Sequence, residues 1–305
     1  MTPTAAEAVR EAAQRIAAVS DTPRLDAELL MAHAMGVERN ALLLGRLADP
    51  VPAGFSALVG ARLAHTPVAY LTGSRAFWTI DLEVGPGALV PRADSETLIE
   101  AAVAHFADRA PATVLDLGTG PGTLLLAALD QWPDAQGLGV DEAADALGYA
   151  RRNAERLGMG GRARFMLGDW AAALDARFDL VLTNPPYIGT DECLPQEVVG
   201  HEPAGALFAG AEGLDAYRLL APQLARLLAP GGVTVVEIGF TQAEPVSALL
   251  RAQGLSTRVA QDLGGRPRAI VARSIWWPRP HISPWRSPVQ PLRPGRGKPP
   301  STSHR

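Results

Sequence analysis

The chain has a single cysteine, Cys193, and so can form no internal disulfide. No cluster of Cys and His shows metal-ligand spacing, which leaves no structural metal to expect, and both absences suit the reducing cytoplasm. No uninterrupted apolar run approaches the roughly 18 residues that a membrane-spanning helix needs. The opening stretch TPTAAEAVREAAQRIAAVS, after Met1, mixes charges into an alanine-rich helical pattern and does not read as a signal peptide. Positive charge is also in short supply: the formal net charge is −4. Of the 28 Lys and Arg, seven lie in the last 33 residues, which hold no acid, so the remainder carries 21 basic against 32 acidic residues, a net of −11. That balance argues against a general nucleic-acid binder, which needs a basic face to neutralise phosphates, and confines any such contact to a local patch or the tail. What is plentiful is apolar residue, 47% of 305, enough for the core of one large or two ordinary globular domains.

From Ala5 to about Ala64 apolar residues recur at three- and four-residue spacing, with breaks at Asp21 to Pro23, Gly36 and Asp49 to Pro52, which predicts a small helical domain. The next stretch, SRAFWTIDLEVGPGALVPR, reads as short strands with a turn at the Gly-Pro-Gly break, leading into a helix from about Ser95. From Thr113 strand-like runs (TVLDLG, GLGVD, ARFMLGD, FDLVLTN, GVTVVEIG) alternate with helix-like ones (LLLAALDQW, AADALGYARRNAERLG, AYRLLAPQLARLLAPGG), which implies a parallel sheet covered on both faces. The runs LSTRVAQDLGG and RPRAIVAR suggest an antiparallel edge pair. After Arg273 eight prolines and regular arginines without a period predict an extended, disordered tail; its basic residues interleaved with tryptophans leave open a nucleic-acid contact there alone.

The first of those strands runs into GTGPG, Gly118 to Gly122, and then a helix. Such a turn lets the backbone approach a ligand closely and implies a nucleotide-type cofactor. The spacing is neither the Gly-x-Gly-x-x-Gly of dinucleotide enzymes nor a P-loop, so a pyrophosphate reader is disfavoured. Asp116, just before the loop, would face a cationic amino group, which suits S-adenosyl-L-methionine; Thr119 and Pro121 complete the loop. Asp141, ending the second strand, would accept from both ribose hydroxyls. Asp169 and Trp170, ending the third, would offer an acceptor for an exocyclic amine and a flat face for adenine. Each acid alone could equally be a cap, but open sheets bind ligands at successive strand ends.

The fourth strand ends in VLTNPPYIGT. Two prolines cannot continue a sheet ladder, and an Asn-Pro pair taken alone reads as a turn. Beside a cofactor loop, Asn184-Pro185-Pro186-Tyr187 takes another meaning. Together DLGTGPG, VD, GDW and NPPY resemble the class I S-adenosylmethionine methyltransferases that modify planar nitrogens. With TPVAYLTGSRAFWTIDLEVGPGALVPRADSETLIE, through Pro67, Tyr70, Gly73, Pro91, Arg92, Asp94, Ser95 and Glu96, and with Glu202, Pro203, Glu237 and Gln242, the chain resembles the HemK/PrmC family over residues 5 to 273.

The resemblance implies an α/β class I methyltransferase fold, Rossmann-like, with a mostly parallel seven-stranded sheet. The expected domains are residues 1–75, helical and substrate-recognising, a β-hairpin linker at 76–94, the methyltransferase domain at 95–273 and the tail at 274–305. It implies N5-methylation of the glutamine in the Gly-Gly-Gln motif of class I peptide chain release factors, by a monomer in the cytoplasm; a ribosomal-protein glutamine and, more remotely, a nucleic-acid base amine are the alternative acceptors. A scaffold that binds the cofactor without catalysis would not need an intact NPPY. Asn184 and the Pro185 carbonyl would hold both amide protons of the substrate, Pro186 would stiffen the loop, Tyr187 would wall the planar group, and Arg92 and Glu96 would bind the substrate loop or bridge the domains. Two features stand apart. Pro121 replaces the usual Ser or Thr, removing one N–H from the loop or stiffening it. Cys193 follows NPPY closely but has no His-based activation to make it a nucleophile.

Overall fold

In the computed structural model, which describes residues 3–107 and 109–274, the chain starts with a capped helix. Thr4 accepts the Glu7 N–H at 3.3 Å while the Glu7 carboxylate takes the Thr4 N–H at 2.9 Å, so two donors that a helix start leaves orphaned are satisfied reciprocally. The helix, α1 (Ala5–Ile16), is followed by α2 (Pro23–Met35), a short α3 (Arg39–Ala41) running into a π-helical turn at Leu42–Arg46, α4 (Phe55–Leu63) and α5 (Val68–Thr72). Their apolar faces meet in a core of their own that includes Val9, Ile16, Leu30, Met31, Leu42, Phe55 and Val59.

A hairpin follows, β1 (Ser74–Phe77) and β2 (Ile80–Glu83), antiparallel with Phe77 opposite Ile80. Its turn is therefore at Trp78 and Thr79, not at the Gly-Pro-Gly break. Trp78 adopts φ +54° there, and its N–H is taken by the Glu96 carboxylate at 2.8 Å, a long-range support that local sequence does not announce. Residues 84–92, with Gly85-Pro86-Gly87, form an irregular run that Tyr70 anchors by donating to the Ala88 carbonyl at 2.6 Å.

After α6 (Glu96–Phe106) come β3 (Thr113–Leu117), α7 (Thr123–Gln131), β4 (Gln136–Asp141), α8 (Ala144–Arg156), β5 (Ala163–Leu167), β6 (Phe178–Thr183), α9 (Gln196–His201), α10 (Asp215–Leu227), β7 (Leu228–Glu237), α11 (Ala243–Ala252), β8 (Leu255–Gln261) and β9 (Pro267–Ser274). Seven strands form one sheet in the order β5-β4-β3-β6-β7-β9-β8; the first five run parallel, while β9 is antiparallel to both its neighbours. This is the expected mostly parallel seven-stranded sheet. The alternation read in the sequence omitted α9 and α11. The Pro/Arg-rich tail lies outside the described residues beyond Ser274.

Strand side chains alternate between two cores because successive residues point to opposite faces. Val114, Leu180, Leu182, Val233 and Val235 pack with α6, α7 and the hairpin, while Leu115, Leu117, Val181 and Val236 pack with α10 and α11. With both faces covered, only the strand ends remain accessible. From β3 the chain winds outward through β4 and β5 and then crosses to β6 on the other side, so the C-terminal ends of β3 and β6 flank the switch point where open sheets bind ligands.

Candidate active site

Register decides which residues meet at that point. Leu117 pairs with Thr183, and Thr183 with Val236. The residues just beyond them, Gly118, Asn184 and Glu237, are thus brought level across three adjacent strands. A cleft of about 170 Å³ opens above.

The loop after β3 turns on three glycines with positive φ: +72° at Gly118, +56° at Gly120 and +89° at Gly122. A Cβ on Gly122 would lie 2.8 Å from Leu126 Cδ1, so both conformation and space exclude a side chain. The loop's amides are spent within the protein: Gly118 and Thr119 donate to the Val140 carbonyl at 2.9 and 3.0 Å, Gly120 to Asp141 Oδ2 at 2.7 Å, and Gly122 to the Thr119 carbonyl at 2.9 Å. Pro121 has no N–H, and its carbonyl accepts from Asn153 at 3.0 Å. Gly118 to Gly122 therefore offers no N–H cradle to a phosphate, which agrees with the spacing argument against a pyrophosphate.

Asp116 follows the alternation of β3 and points to the α7 side. It is buried; Oδ2 accepts from the Thr119 hydroxyl at 2.7 Å and the Leu125 N–H at 3.2 Å, while buried Oδ1 has no protein partner. Burial pushes its carboxyl up to about 7, against the lowering effect of those two hydrogen bonds. An orphaned carboxylate oxygen lining a cleft is suited to a cationic donor, and it is the feature by which the site fits S-adenosylmethionine. Asp141 also lines the cleft, with its second oxygen on the Ala143 N–H at 2.8 Å, so it holds the loop shape as well as facing a ligand. Exposed Asp169 and half-buried Trp170 also line the cleft. Trp170 adopts φ +46°, a conformation that costs a non-glycine residue energy, and its ring would meet a Cβ on Gly118 at 3.3 Å.

Asn184 reaches the cleft half-buried, and its Nδ2 donates to the Ser95 hydroxyl at 3.3 Å. With the NH2 end engaged, the oxygen end is left for a ligand. Pro186 lines the cleft beside it; Pro185 is buried beneath. Tyr187 does not line the cleft. Its hydroxyl is 3.5 Å from Glu237 Oε1, its carbonyl accepts from Gln242 at 2.9 Å, and burial pushes its hydroxyl up to about 12. Gly122 is likewise a framework residue below the surface. Arg92 does line the cleft, held by buried Glu202, which also accepts the Val90 N–H at 3.2 Å. Glu96 does not line the cleft; its carboxylate accepts the Trp78 N–H on the hairpin turn.

Several contributors were not singled out in the sequence, Gly87 and Leu89 of the irregular run and Ala206 after α9, while Pro203 and Ser95 were named there only as marks of the resemblance, without a place in the site. Ser95 and Glu237 did stand in recognisable segments, a polar residue opening a helix and a carboxylate ending an apolar strand, but neither pattern says that they converge on Asn184. Exposed Cys193 is not among the cleft residues.

Comparison with known proteins agrees with this architecture. Residues 7–73 match the PrmC N-terminal domain and residues 109–253 a methyltransferase domain. The release factor glutamine methyltransferase of Rhodospirillum rubrum is 44% identical over 259 residues, covering 83% of this chain and 79% of that protein. That of Cereibacter sphaeroides is 44% identical over 278 residues, 88% and 98% of the two chains, and that of Mycolicibacterium smegmatis 41% over 260 residues, 83% and 92%. Among solved structures, the hMettl16 catalytic domain in complex with MAT2A 3′UTR hairpin 6 superposes with a TM-score of 0.51 at 15% identity over 64% of this chain and 76% of that one, a likeness of fold alone.

Proposed function

The chain belongs to the release factor glutamine methyltransferase family, and from that premise we propose that it methylates the side-chain amide nitrogen of the glutamine in the Gly-Gly-Gln motif of a class I peptide chain release factor. The observation that carries the reading is the orientation of Asn184, whose NH2 is engaged by Ser95 so that its oxygen is the end available to a substrate.

S-adenosylmethionine would supply the electrophilic methyl group. Asp116 would hold its ammonium, Asp141 its ribose, and Asp169 with Trp170 its adenine. The residues of this chain do the rest by positioning. An amide nitrogen is a poor nucleophile because its lone pair is delocalised into the carbonyl. Hydrogen bonds from its two N–H groups to Asn184 Oδ1 and the Pro185 carbonyl would fix its plane and aim the nitrogen, so that alignment supplies much of the rate. As the nitrogen takes the methyl group, the methyl–sulfur bond would break with S-adenosylhomocysteine as the leaving product, and the nitrogen would release one proton to solvent. Pro185 and Pro186 lock φ of the acceptor loop, which keeps both oxygens in place without ordering cost at the moment of reaction.

The test is transfer of labelled methyl from S-adenosylmethionine to purified release factor, with mass spectrometry locating the label on the glutamine. Asn184→Ala is expected to lower kcat by about 100-fold or more. No transfer to any class I release factor, with transfer to a ribosomal protein instead, would redirect the assignment.

A further inference from the structure

The acceptor loop hangs between two backbone anchorages. Before it, Thr183 is in register with Leu117 and Val236 of the sheet; after it, Ile188 donates to the Leu207 carbonyl at 3.0 Å and accepts the Ala209 N–H at 2.9 Å. Pro185 and Pro186 have no N–H with which to tie the span down, and amide transfer needs the Asn184 oxygen and the Pro185 carbonyl free for the substrate. A hold on the backbone after the prolines that leaves both oxygens free falls to Tyr187.

Gln242 supplies that hold. It is buried at the N-cap position of α11, 55 positions along the chain from Tyr187. Its Nε2 donates to the Tyr187 carbonyl at 2.9 Å and to the Gly213 carbonyl, just before α10, at 3.2 Å. Its Oε1 accepts the Gly239 N–H, just after β7, at 3.0 Å and the Tyr217 hydroxyl of α10 at 3.5 Å. A primary amide has two donor hydrogens and an oxygen with two lone pairs, so the full capacity of the group is used. Reversing the amide would set its oxygen against two carbonyl oxygens. The surrounding space is fitted to the amide as well: a Cβ on Gly239 would lie 2.9 Å from Oε1, and one on Gly213, where φ is +66°, would lie 2.9 Å from Nε2 and run into the Tyr187 carbonyl.

We propose that Gln242 is a positioning residue for methyl transfer, which by clamping the Tyr187 carbonyl holds the direction of the Pro185 carbonyl that receives the substrate amide. The proposal rests on the amide-transfer reading above. The connection runs through backbone torsions. Peptide planes are rigid and the Pro186 ring locks its φ, so between the two carbonyls only ψ of Pro186 and φ and ψ of Tyr187 are soft. With the Tyr187 ring packed against the core under α10 and α11 and its carbonyl held by Gln242, those three torsions are fixed from the far side. Released, they let the Pro185 carbonyl drift, and a reaction driven by alignment is sensitive to displacements of an ångström or less. Asp116, Asp141 and Asp169, on the cofactor side of the cleft, make no hydrogen bond to Gln242, so a loss of the clamp separates transfer from cofactor binding.

Two measurements on the full chain decide it. Gln242→Glu keeps the side-chain length and the acceptor for Gly239 but sets an oxygen against two carbonyls, and Gln242→Met fills the space without polarity. Either is expected to lower the single-turnover rate of transfer to a release factor by about tenfold or more, with Kd for S-adenosylmethionine, by calorimetry, changed less than about twofold. Tyr217→Phe is the comparison: it removes the hydroxyl that donates to the Glu237 carbonyl at 2.9 Å, a structural loss in the same place, but spares the bond from Gln242 to Tyr187. Its transfer rate should stay within about twofold of wild type. In protein free of substrate and cofactor, backbone hydrogen exchange over residues 183–190, followed by mass spectrometry, should quicken by about tenfold or more in either Gln242 variant and not in Tyr217→Phe. A transfer rate or a loop exchange rate that is unchanged in a folded Gln242 variant, a loss matched by cofactor affinity, or an equal loss in Tyr217→Phe overturns the proposal. Should wild type transfer nothing to a release factor, the function reading fails, while the exchange measurement still decides whether Gln242 holds the loop.

Discussion

Asp116 shows how one residue can be legible in the sequence while its chemistry is not. An acid before a glycine turn is visible in the letters, but that its Oδ1 is buried without a partner depends on Thr119 and Leu125 occupying the other oxygen. In the cofactor-free protein its carboxyl is raised from 3.8 to about 7, so the folded state binds a proton more tightly than the unfolded one, and the residue subtracts stability as pH rises from about 3.8 to 7. A cationic ligand reverses the preference. Affinity for S-adenosylmethionine is therefore expected to be full above pH 7 and to fall by up to about tenfold per unit below it, as calorimetric titration would record, with Asp116→Asn weak at every pH. The same linkage predicts that Asp116→Asn is more stable than wild type at pH 8 and loses that advantage toward pH 4, by thermal unfolding across the range. Trp170 and Tyr187 mark the limit of such reading. Nothing in the string GDW shows a left-handed tryptophan, and nothing in NPPY shows that the hydroxyl of its tyrosine lies 3.5 Å from Glu237.

Elements are held in place by residues that carry no motif. Asn153 of α8 is fully buried; its oxygen accepts the Glu83 N–H at 2.7 Å, and its NH2 donates to the Glu83 and Pro121 carbonyls, both at 3.0 Å. One amide thus ties β2 to the glycine loop. Removing it leaves one buried and two partly buried backbone groups short of a partner, so Asn153→Ala is expected to cost about 2–4 kcal/mol in denaturant unfolding and to weaken cofactor binding through the loosened loop. The contrast is Thr4, whose capping box was written in the local sequence as Thr-x-x-Glu; Thr4→Ala is expected to cost about 1 kcal/mol and leave the cleft unaffected. The hairpin turn was misread for the same reason that Asn153 was invisible. Gly-Pro-Gly is a strong local turn signal, yet Glu96, eighteen residues from Trp78, supports the turn that forms.

At the scale of the molecule, Arg62 joins its parts. It lies in α4 at 3% exposure, pairs with Asp26 of α2 at 2.8 Å, and reaches Glu197 of α9 at 2.7 Å, so the helical region is fastened to the segment that follows the acceptor loop. Loss of the guanidinium leaves Asp26 buried without its partner. Arg62→Ala is expected to cost about 3–5 kcal/mol by chemical denaturation, whereas Glu197→Ala, removing the more exposed partner, should cost about 1 kcal/mol or less. The alternation of strands and helices, the glycine turn and the Asn-Pro-Pro-Tyr strand end were determined by the sequence alone, because hydrophobic period, proline geometry and positive φ are local properties of the chain. Which residues share the site was decided only by the tertiary structure. Asn184 meets Ser95 across 89 positions and Tyr187 meets Glu237 across 50, and such pairings follow from strand register and packing, which no local pattern encodes.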